Sequence, residues 1–218
     1  MPVAYIFCPS NILNQKKINI PVSCDNGNIY IAADSGILTA EKLNIKPNVV
    51  IGDFDSVDLS SLKIKYKDIK TIKYPAEKDD TDLMLAVKYS LESGYKNIKI
   101  IGGLDGRIDH TLANIYYLKY IKIHGGGGYI TNGYNKISYI SNSSVKIYKN
   151  YKYISVIPVN SVIHGLTLKN FKYSLDNAIV KFEEPYTVCN EILKDFKYGE
   201  IIISDGEVLI CECDDILV

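Results

Sequence analysis

The chain has 218 residues, 47% of them apolar, and its 25 basic side chains are balanced by 25 acidic ones to a formal net charge of zero. That length holds one large domain or two small ones around a real core, which excludes a chain disordered throughout. The charge balance argues against a broad cationic surface for nucleic acid, and no apolar stretch approaches the length of a membrane span.

Lysine supplies every basic side chain except one, Arg107, which stands beside Asp109 and His110. A single planar, multidentate guanidinium in that company points to a specific task. The five cysteines, Cys8, Cys24, Cys189, Cys211 and Cys213, fit neither a disulfide scaffold nor a doubled Cys-x-x-Cys zinc site. Reduced thiols and a cytoplasmic location are therefore expected. The opening MPVAYIFCPSN lacks the n-region, h-region and cleavage site of a signal peptide, so a soluble, unprocessed chain is expected.

In chain order, VAYIFC (Val3 to Cys8) predicts a buried strand. NILNQKKINIPVSCDNG fits a loop or a short helix, and NIYIAADSG (Asn28 to Gly36) predicts a second buried strand that breaks at Asp34 and Gly36. Asp34 can serve either as the cap of the next helix, ILTAEKLN, or as a functional carboxylate. A third strand, NVVI (Asn48 to Ile51), runs into Gly52, Asp53 and Asp55. Two carboxylates at i and i+2 beside a glycine, at the end of a strand, suit a hard divalent cation carrying phosphate oxygens, although Gly, Asp and Ser also make plain solvated turns.

A short helix is expected within VDLSSLKIKYKDIK, and a strand in TIKYP (Thr71 to Pro75). Leu83, Met84, Val87 and Leu91 then share one face of a helix whose start is crowded by Asp79, Asp80, Thr81 and Asp82. One side chain suffices for a cap, and packing several carboxylates together needs a cation or solvent to offset the repulsion. NIKII predicts a strand, GGLDG a glycine turn, and Leu112, Ile115 and Leu118 one face of the following helix. Arg107 and His110 fall at the passage from turn to helix. Backbone N–H groups, the positive helix end and an arginine fork there suit a phosphate cradle, with Asp109 either orienting a donor or capping the helix and His110 either serving the site or standing as a structural histidine.

From His124 the run HGGGGYITNGYN breaks the chain, and Gly125 to Gly128 reads as a flexible turn. After KISYI the segments VKIYK, YISVIPV, LTLKNFKY, AIVKF and GEIIISDGEVLICE read as strands, so a β-rich second domain is expected from about Asn142. SDG is expected to close a hairpin that pairs Ile201 to Ile203 with Val208 to Ile210.

Acidic ligands facing basic phosphate contacts at one sheet edge suit magnesium-assisted phosphoryl or pyrophosphoryl transfer. These residues leave the reaction class open between a nucleotide hydrolase and a nucleotide-dependent kinase.

Four motifs in order, AADSG at Ala32 to Gly36, GDFDS at Gly52 to Ser56, KDDTD at Lys78 to Asp82 and GGLDGRIDHTLAN at Gly102 to Asn114, resemble those of the thiamine pyrophosphokinases. The resemblance implies an α/β fold, with an N-terminal Rossmann-like parallel-sheet domain (1–141) that binds ATP and Mg²⁺ and a smaller C-terminal β-sandwich domain (142–218) that helps hold thiamine. It implies a homodimer with thiamine sites at the subunit interface. Carried over residue by residue, Asp34, Asp53, Asp55 and Asp82 look like the metal-associated acids. Asp53, Asp55, Asp82 and Arg107 look catalytic, and Asp34, Arg107, Asp109 and His110 look like the nucleotide side. GLTLKNF at Gly165 to Phe171 is similar to the segment that opens the family's thiamine region, and VCNEI matches its late Ser-Asn pair, with Asn190 in place and Cys189 where the family has serine. Cys189 keeps the small size but weakens hydrogen bonding. Asp82, Cys189 and Asn190 are thus expected on the substrate side, with Glu191 a weaker candidate. The implied reaction is pyrophosphoryl transfer from ATP, the co-substrate, to the thiamine hydroxyl. The alternatives are a magnesium-dependent nucleotide hydrolase and a noncatalytic nucleotide- or thiamine-binding protein, with no nucleic-acid or membrane partner in any of the three readings.

Overall fold

The computed structural model describes residues 1–21, 27–53, 69–75, 77, 79–160 and 162–216. Asp55, Cys24 and nearly all of the helix expected within VDLSSLKIKYKDIK lie outside the described residues. The chain divides into two compact units, Met1–Gly133 and Tyr134–Val218.

Among the described residues of the first unit six strands lie parallel: β1 (Val3–Phe7), β2 (Ile29–Ala33), β3 (Val49–Gly52), β4 (Lys70–Lys73), β5 (Asn97–Ile101) and β6 (Gly127–Thr131), in the order β4-β3-β2-β1-β5-β6. The expected strands VAYIFC, NIYIAA, NVVI and NIKII are all present, because runs of Val, Ile, Ala and aromatic residues suit strands covered on both faces. All five residues of β1 are buried. Tyr5, Phe7, Tyr30 and Ile101 pack with Ala40 and Ile45 on one face, while Ala4, Ile6, Ile31 and Ile100, of the alternate pleat, are fully buried as well. Each such Ile or Phe contributes roughly 1.5–3 kcal/mol by leaving water.

Among the described residues of this unit there are three α-helices: α1 (Gly36–Lys42), α2 (Asp82–Glu92) and α3 (Ile108–Ile123). α1 packs on β1 and β2, α2 along β1 to β3, and α3 on β6 and α2. The polar segment before β2 contains a 3-10 turn at Gln15–Lys17. Strand order reverses between β1 and β5, so the chain leaves their carboxyl ends in opposite directions and a crevice opens there.

The glycine run differs from expectation, since Gly127 and Gly128 lie inside β6 rather than in a flexible turn. A Cβ on Gly128 would stand 1.7 Å from the Ile98 carbonyl oxygen, so glycine is what lets β6 approach β5.

The second unit is antiparallel: β7 (Asn135–Ser141), β8 (Ser144–Tyr148), β9 (Tyr153–Pro158), β10 (Val162–Lys169), β11 (Leu175–Lys181), β12 (Tyr198–Asp205) and β13 (Glu207–Cys213). Strands β7-β13-β9 make one layer and β11-β10-β12-β8 the other. Ile154, Val156, Val208 and Ile210 from the first layer meet Ile163, Leu166, Leu168, Ile201 and Ile203 from the second in one buried core, so the unit is a β-sandwich.

The expected SDG hairpin does not form. β12 pairs with β10 and β8, whereas β13 pairs with β7 and β9, so the chain crosses from one layer to the other at Gly206, which sits at φ +130°. Ile203 and Val208 therefore enter the shared core from opposite layers instead of lying side by side. Both strands carry the same alternation, and burying two apolar faces against each other outweighs the local turn signal.

Candidate active site

The candidate residues of the first unit sit where strands end and helices begin. β2 ends at Ala33, and Asp34 follows in the left-handed region at φ +46°, a conformation Asp tolerates better than bulkier residues. Its backbone N–H donates to the Ile51 carbonyl at 2.8 Å, tying it to the end of β3, and its Oδ1 is shielded from solvent. The capping alternative for Asp34 is not what the helix uses, because Ser35 occupies the N-cap position of α1, with no side-chain cap bond. Asp53 follows Gly52 directly and is half-buried. A Cβ on Gly52 would lie 3.2 Å from Asp34 Cα, so the two carboxylate-bearing tips approach closely only over a glycine.

At the start of α2 the capping role belongs to Thr81. Its Oγ1 accepts from Met84 N at 3.2 Å and lies 3.0 Å from the Tyr117 hydroxyl of α3. Asp80 pairs with Lys88 at 2.5 Å. Asp82, in the first turn, is half-buried and lines the cleft described next.

After β5 the chain turns through Gly102 and Gly103 into α3, with Arg107 at the N-cap position. Arg107 Nε donates to Asp109 Oδ1 at 3.1 Å and Nη2 donates to Oδ2 at 2.5 Å, a bidentate fork, while His110 N donates to Asp109 Oδ1 at 2.9 Å. The hydrogen bond from Arg107 is the main reason the Asp109 carboxyl falls to about 2, and the same bond raises Arg107 further. Both side chains are well exposed, so the fork can exchange partners with an incoming anion. Asn114 Nδ2 donates to the Gly103 carbonyl at 2.9 Å and fixes the turn from within α3.

A cleft of about 420 Å³ opens at the carboxyl ends of the strands and brings together Asp34, Asp82, Arg107 and His110. Asp105, which the sequence reading did not single out, also lines it, as do Cys8 and Pro9 from the loop after β1. Asp105 was visible in GGLDG, and its only signal was a carboxylate inside a glycine turn. Asp53 and Asp109 stand beside the cleft without lining it.

Among the described residues no group of three or more His, Cys, Asp or Glu is gathered closely enough to hold a metal. The chemistry of Asp34, Asp53 and Asp82 nevertheless fits magnesium, which takes hard oxygen donors and is commonly held by one or two carboxylates, water and substrate phosphates rather than by a protein cage. The sheltered Asp34 Oδ1 is a donor of that kind.

Of the three substrate-side candidates, Asp82 lies in the first unit and Cys189 and Asn190 in the second. Asn190 is buried, its Oδ1 accepting from Tyr173 N at 3.0 Å and Glu191 N at 2.9 Å, and its Nδ2 donating to Tyr173 O at 2.7 Å. Its amide therefore braces the Tyr173 backbone beside a small cavity lined also by Tyr186 and Val188. Cys189 is exposed and left-handed at φ +60°, with its N–H donating to Ser155 Oγ at 3.0 Å. Glu191 pairs with Lys172 at 3.5 Å.

Fold and cleft together define a class: a doubly wound parallel sheet with its crevice at the switch point, followed by a β-sandwich. Residues 22–125 match the family model for the thiamin pyrophosphokinase catalytic domain, and residues 140–204 match that for the thiamin pyrophosphokinase vitamin B1 binding domain. A thiamine pyrophosphokinase of Bacillus subtilis is 34% identical over 177 residues, 78% of this chain and 80% of the relative. The crystal structure of a Bacillus subtilis thiamine pyrophosphokinase superposes with a TM-score of 0.85 at 25% identity, over 99% of this chain and 100% of that one. A Geobacillus thermodenitrificans structure shares the fold at a TM-score of 0.82 and 24% identity, over 99% of this chain and 98% of that one. The chain belongs to the thiamine pyrophosphokinase family.

Proposed function

We propose that this chain is a thiamine pyrophosphokinase, transferring the pyrophosphoryl group of ATP to the hydroxyl of thiamine to give thiamine diphosphate and AMP. The observation that carries the reading is the cleft in which Asp34 and Asp82 meet Arg107 and His110 at the switch point of the parallel sheet, in a chain of this family. The alcohol oxygen attacks the β-phosphorus, an O–P bond forms as the bridge to the α-phosphate breaks, AMP departs and the alcohol loses its proton.

Asp34, Asp53, Asp82 and Asp55, the last outside the described residues, would hold magnesium. When bound, the cation supplies screening of the phosphate charge. Arg107 and His110 contact the ATP phosphates, with Asp109 holding the Arg107 fork in register until the nucleotide arrives. In this reading the N-terminal domain (1–141) serves ATP and the C-terminal domain (142–218) serves thiamine through Cys189 and Asn190, while Asp82 is read as a substrate contact in its own domain. A homodimer in the cytoplasm completes the reading, with neither nucleic acid nor membrane as a partner. The exposure of Ile108, Leu112, Tyr116 and Ile123 along one helix supports the dimer, since an apolar stripe of that length is commonly covered. Among the described residues no helix is long and apolar enough to cross a membrane.

The test is product analysis of the purified protein with ATP and thiamine, with and without Mg²⁺. Equal AMP and thiamine diphosphate, formed only with Mg²⁺, is the expected result. Thiamine-independent phosphate release would point to a hydrolase, and saturable binding of both ligands without product to a binding protein. Asp53→Asn should lower turnover about 100-fold while the fold is kept, and an unchanged rate would remove Asp53 from the metal site.

A further inference from the structure

The loops that leave β1 and β5 diverge around the crevice, and each is anchored from behind by a helix. Lys42 Nζ of α1 donates to the Ser10 carbonyl at 3.0 Å, and Asn114 Nδ2 of α3 donates to the Gly103 carbonyl at 2.9 Å. At the root of the crevice the loops meet through a backbone hydrogen bond and a close approach over glycine. Gly103 N donates to Pro9 O at 3.1 Å, and Gly102, at φ +89°, stands where a Cβ would come within 2.5 Å of the Cys8 carbonyl oxygen. Further out, the Asp105 side chain spans the gap. Asp105 Oδ1 accepts from Ser10 Oγ at 2.7 Å and Oδ2 accepts from Asn11 N at 2.6 Å.

We propose that Asp105 is a positioning residue for the nucleotide, a latch that joins the loop after β1 to the turn after β5 and so sets the width of the crevice that receives ATP. The inference rests on the reading of this cleft as the nucleotide site. Asp105 lies two residues before Arg107, so the same latch determines where the guanidinium enters the cleft. Both carboxylate oxygens face donors of the neighbouring loop, and such charge-assisted bonds are about twice as strong as neutral ones. Misplacing reacting groups by even about 1 Å can cost on the order of 100-fold, so a latch of this kind has consequences for binding without touching the reacting atoms.

The hydrogen-bond pattern separates a latch from a charge. Ser10 Oγ also lies within donating distance of the Ile12 carbonyl, at 2.9 Å. An asparagine at 105 can therefore turn its oxygen to Asn11 N and give its NH₂ to the Ser10 hydroxyl, which passes its own proton to Ile12 O. Geometry survives in Asp105→Asn although the charge is gone. Neither survives in Asp105→Ala.

The experiment is calorimetric titration of ATP with Mg²⁺ into the full chain without thiamine, together with KM values for ATP and thiamine. Asp105→Ala should raise the Kd and KM for ATP about tenfold and leave the KM for thiamine within about twofold. Asp105→Asn should recover most of that loss, to within about threefold of the parent. Ser10→Ala should weaken ATP binding in the parent but add nothing further in the Asp105→Ala background, as members of one unit do. An Asp105→Asn protein as weak as Asp105→Ala would overturn the latch in favour of a charge role, and an ATP Kd untouched by Asp105→Ala would overturn it outright. A parent that binds ATP but forms no thiamine diphosphate would sink the proposed reaction while leaving the titration to decide on Asp105. A parent that binds no ATP would sink both.

Discussion

Asp34 and Gly52 lie back to back: a side-chain carbon on Gly52 would come 3.2 Å from Asp34 Cα and 3.3 Å from its Cβ, while Asp34 N holds the Ile51 carbonyl at 2.8 Å. Gly52→Ala should therefore push Asp34 away by a few tenths of an ångström and lower kcat/KM about tenfold, with a fall of only a few degrees in Tm. Asp34→Asn should keep the fold and lower turnover. Asp34→Ala should in addition lose about 1 kcal/mol, since alanine is poorly suited to φ +46°. Enzyme rates measured beside thermal melts check all three, and a Gly52→Ala protein with parental kinetics would mean that this contact does not reach the chemistry.

Arg107→Lys removes the fork but keeps the charge. The ATP Kd is expected to rise about tenfold, and the Asp109 carboxyl to move from about 2 back toward its ordinary value of 3.8. The sign for stability follows from the lowered value in the folded chain: the pair's contribution is fully present above pH 3.8 and is lost as the pH falls through about 2. Both groups are exposed, so the effect should be small and should fade in high salt. NMR titration of the Asp109 carboxyl reads this directly, and an unmoved midpoint in Arg107→Lys would show that any cation suffices there.

The thiols should differ in reactivity. Cys189 is exposed, whereas burial pushes Cys8 and Cys211 up to about 12 and Cys213 up to about 11. In a Cys24→Ser background, maleimide at neutral pH should label Cys189 first and the other three only after unfolding, because the thiolate is the reactive form. Rapid labelling of Cys211 in the folded chain would contradict the shielding that raises its thiol. Protection of Cys189 by thiamine would support its substrate-side role.

Glu212 reaches into the sandwich with its side chain only 3% exposed and meets Lys136 Nζ at 2.6 Å. Lys136→Met leaves that carboxylate without its lysine and should cost about 3 kcal/mol, whereas Lys136→Met with Glu212→Leu should recover much of the loss. Denaturant melts of the two single variants and the double variant check it. Equal loss in single and double variants would mean that packing rather than charge is at stake.

The strand tips were legible because a buried parallel strand is a plain run of Val, Ile and Ala, and its end is marked by the first polar residue. Asp34 and Asp53 were readable on that basis. The layer change at Gly206 was not, since SDG between two alternating strands carries the same local signal whether they pair side by side or face each other across a core. Asp105 was hidden for a related reason. Its partners Ser10 and Asn11 lie far away in sequence, and only the strand order that sets β1 beside β5 brings them within reach. Thr81, rather than any of its three acidic neighbours, caps α2, and its hydroxyl also bonds Tyr117 of another helix, a contact distant in sequence.

The position of β13 bears on how the chain emerges from the ribosome. It lies between β7 and β9 and follows both in sequence, so two strands made early must wait with open edges for the strand that separates them. The parallel sheet of the first unit has no such debt, because every strand in it has been made before β7 appears. Assembly during synthesis is therefore vectorial, with the first unit able to close first and the sandwich closing only in its last step. A chain cut within β13 would leave two long apolar edges exposed on an otherwise finished protein, a form suited to aggregation rather than to partial activity.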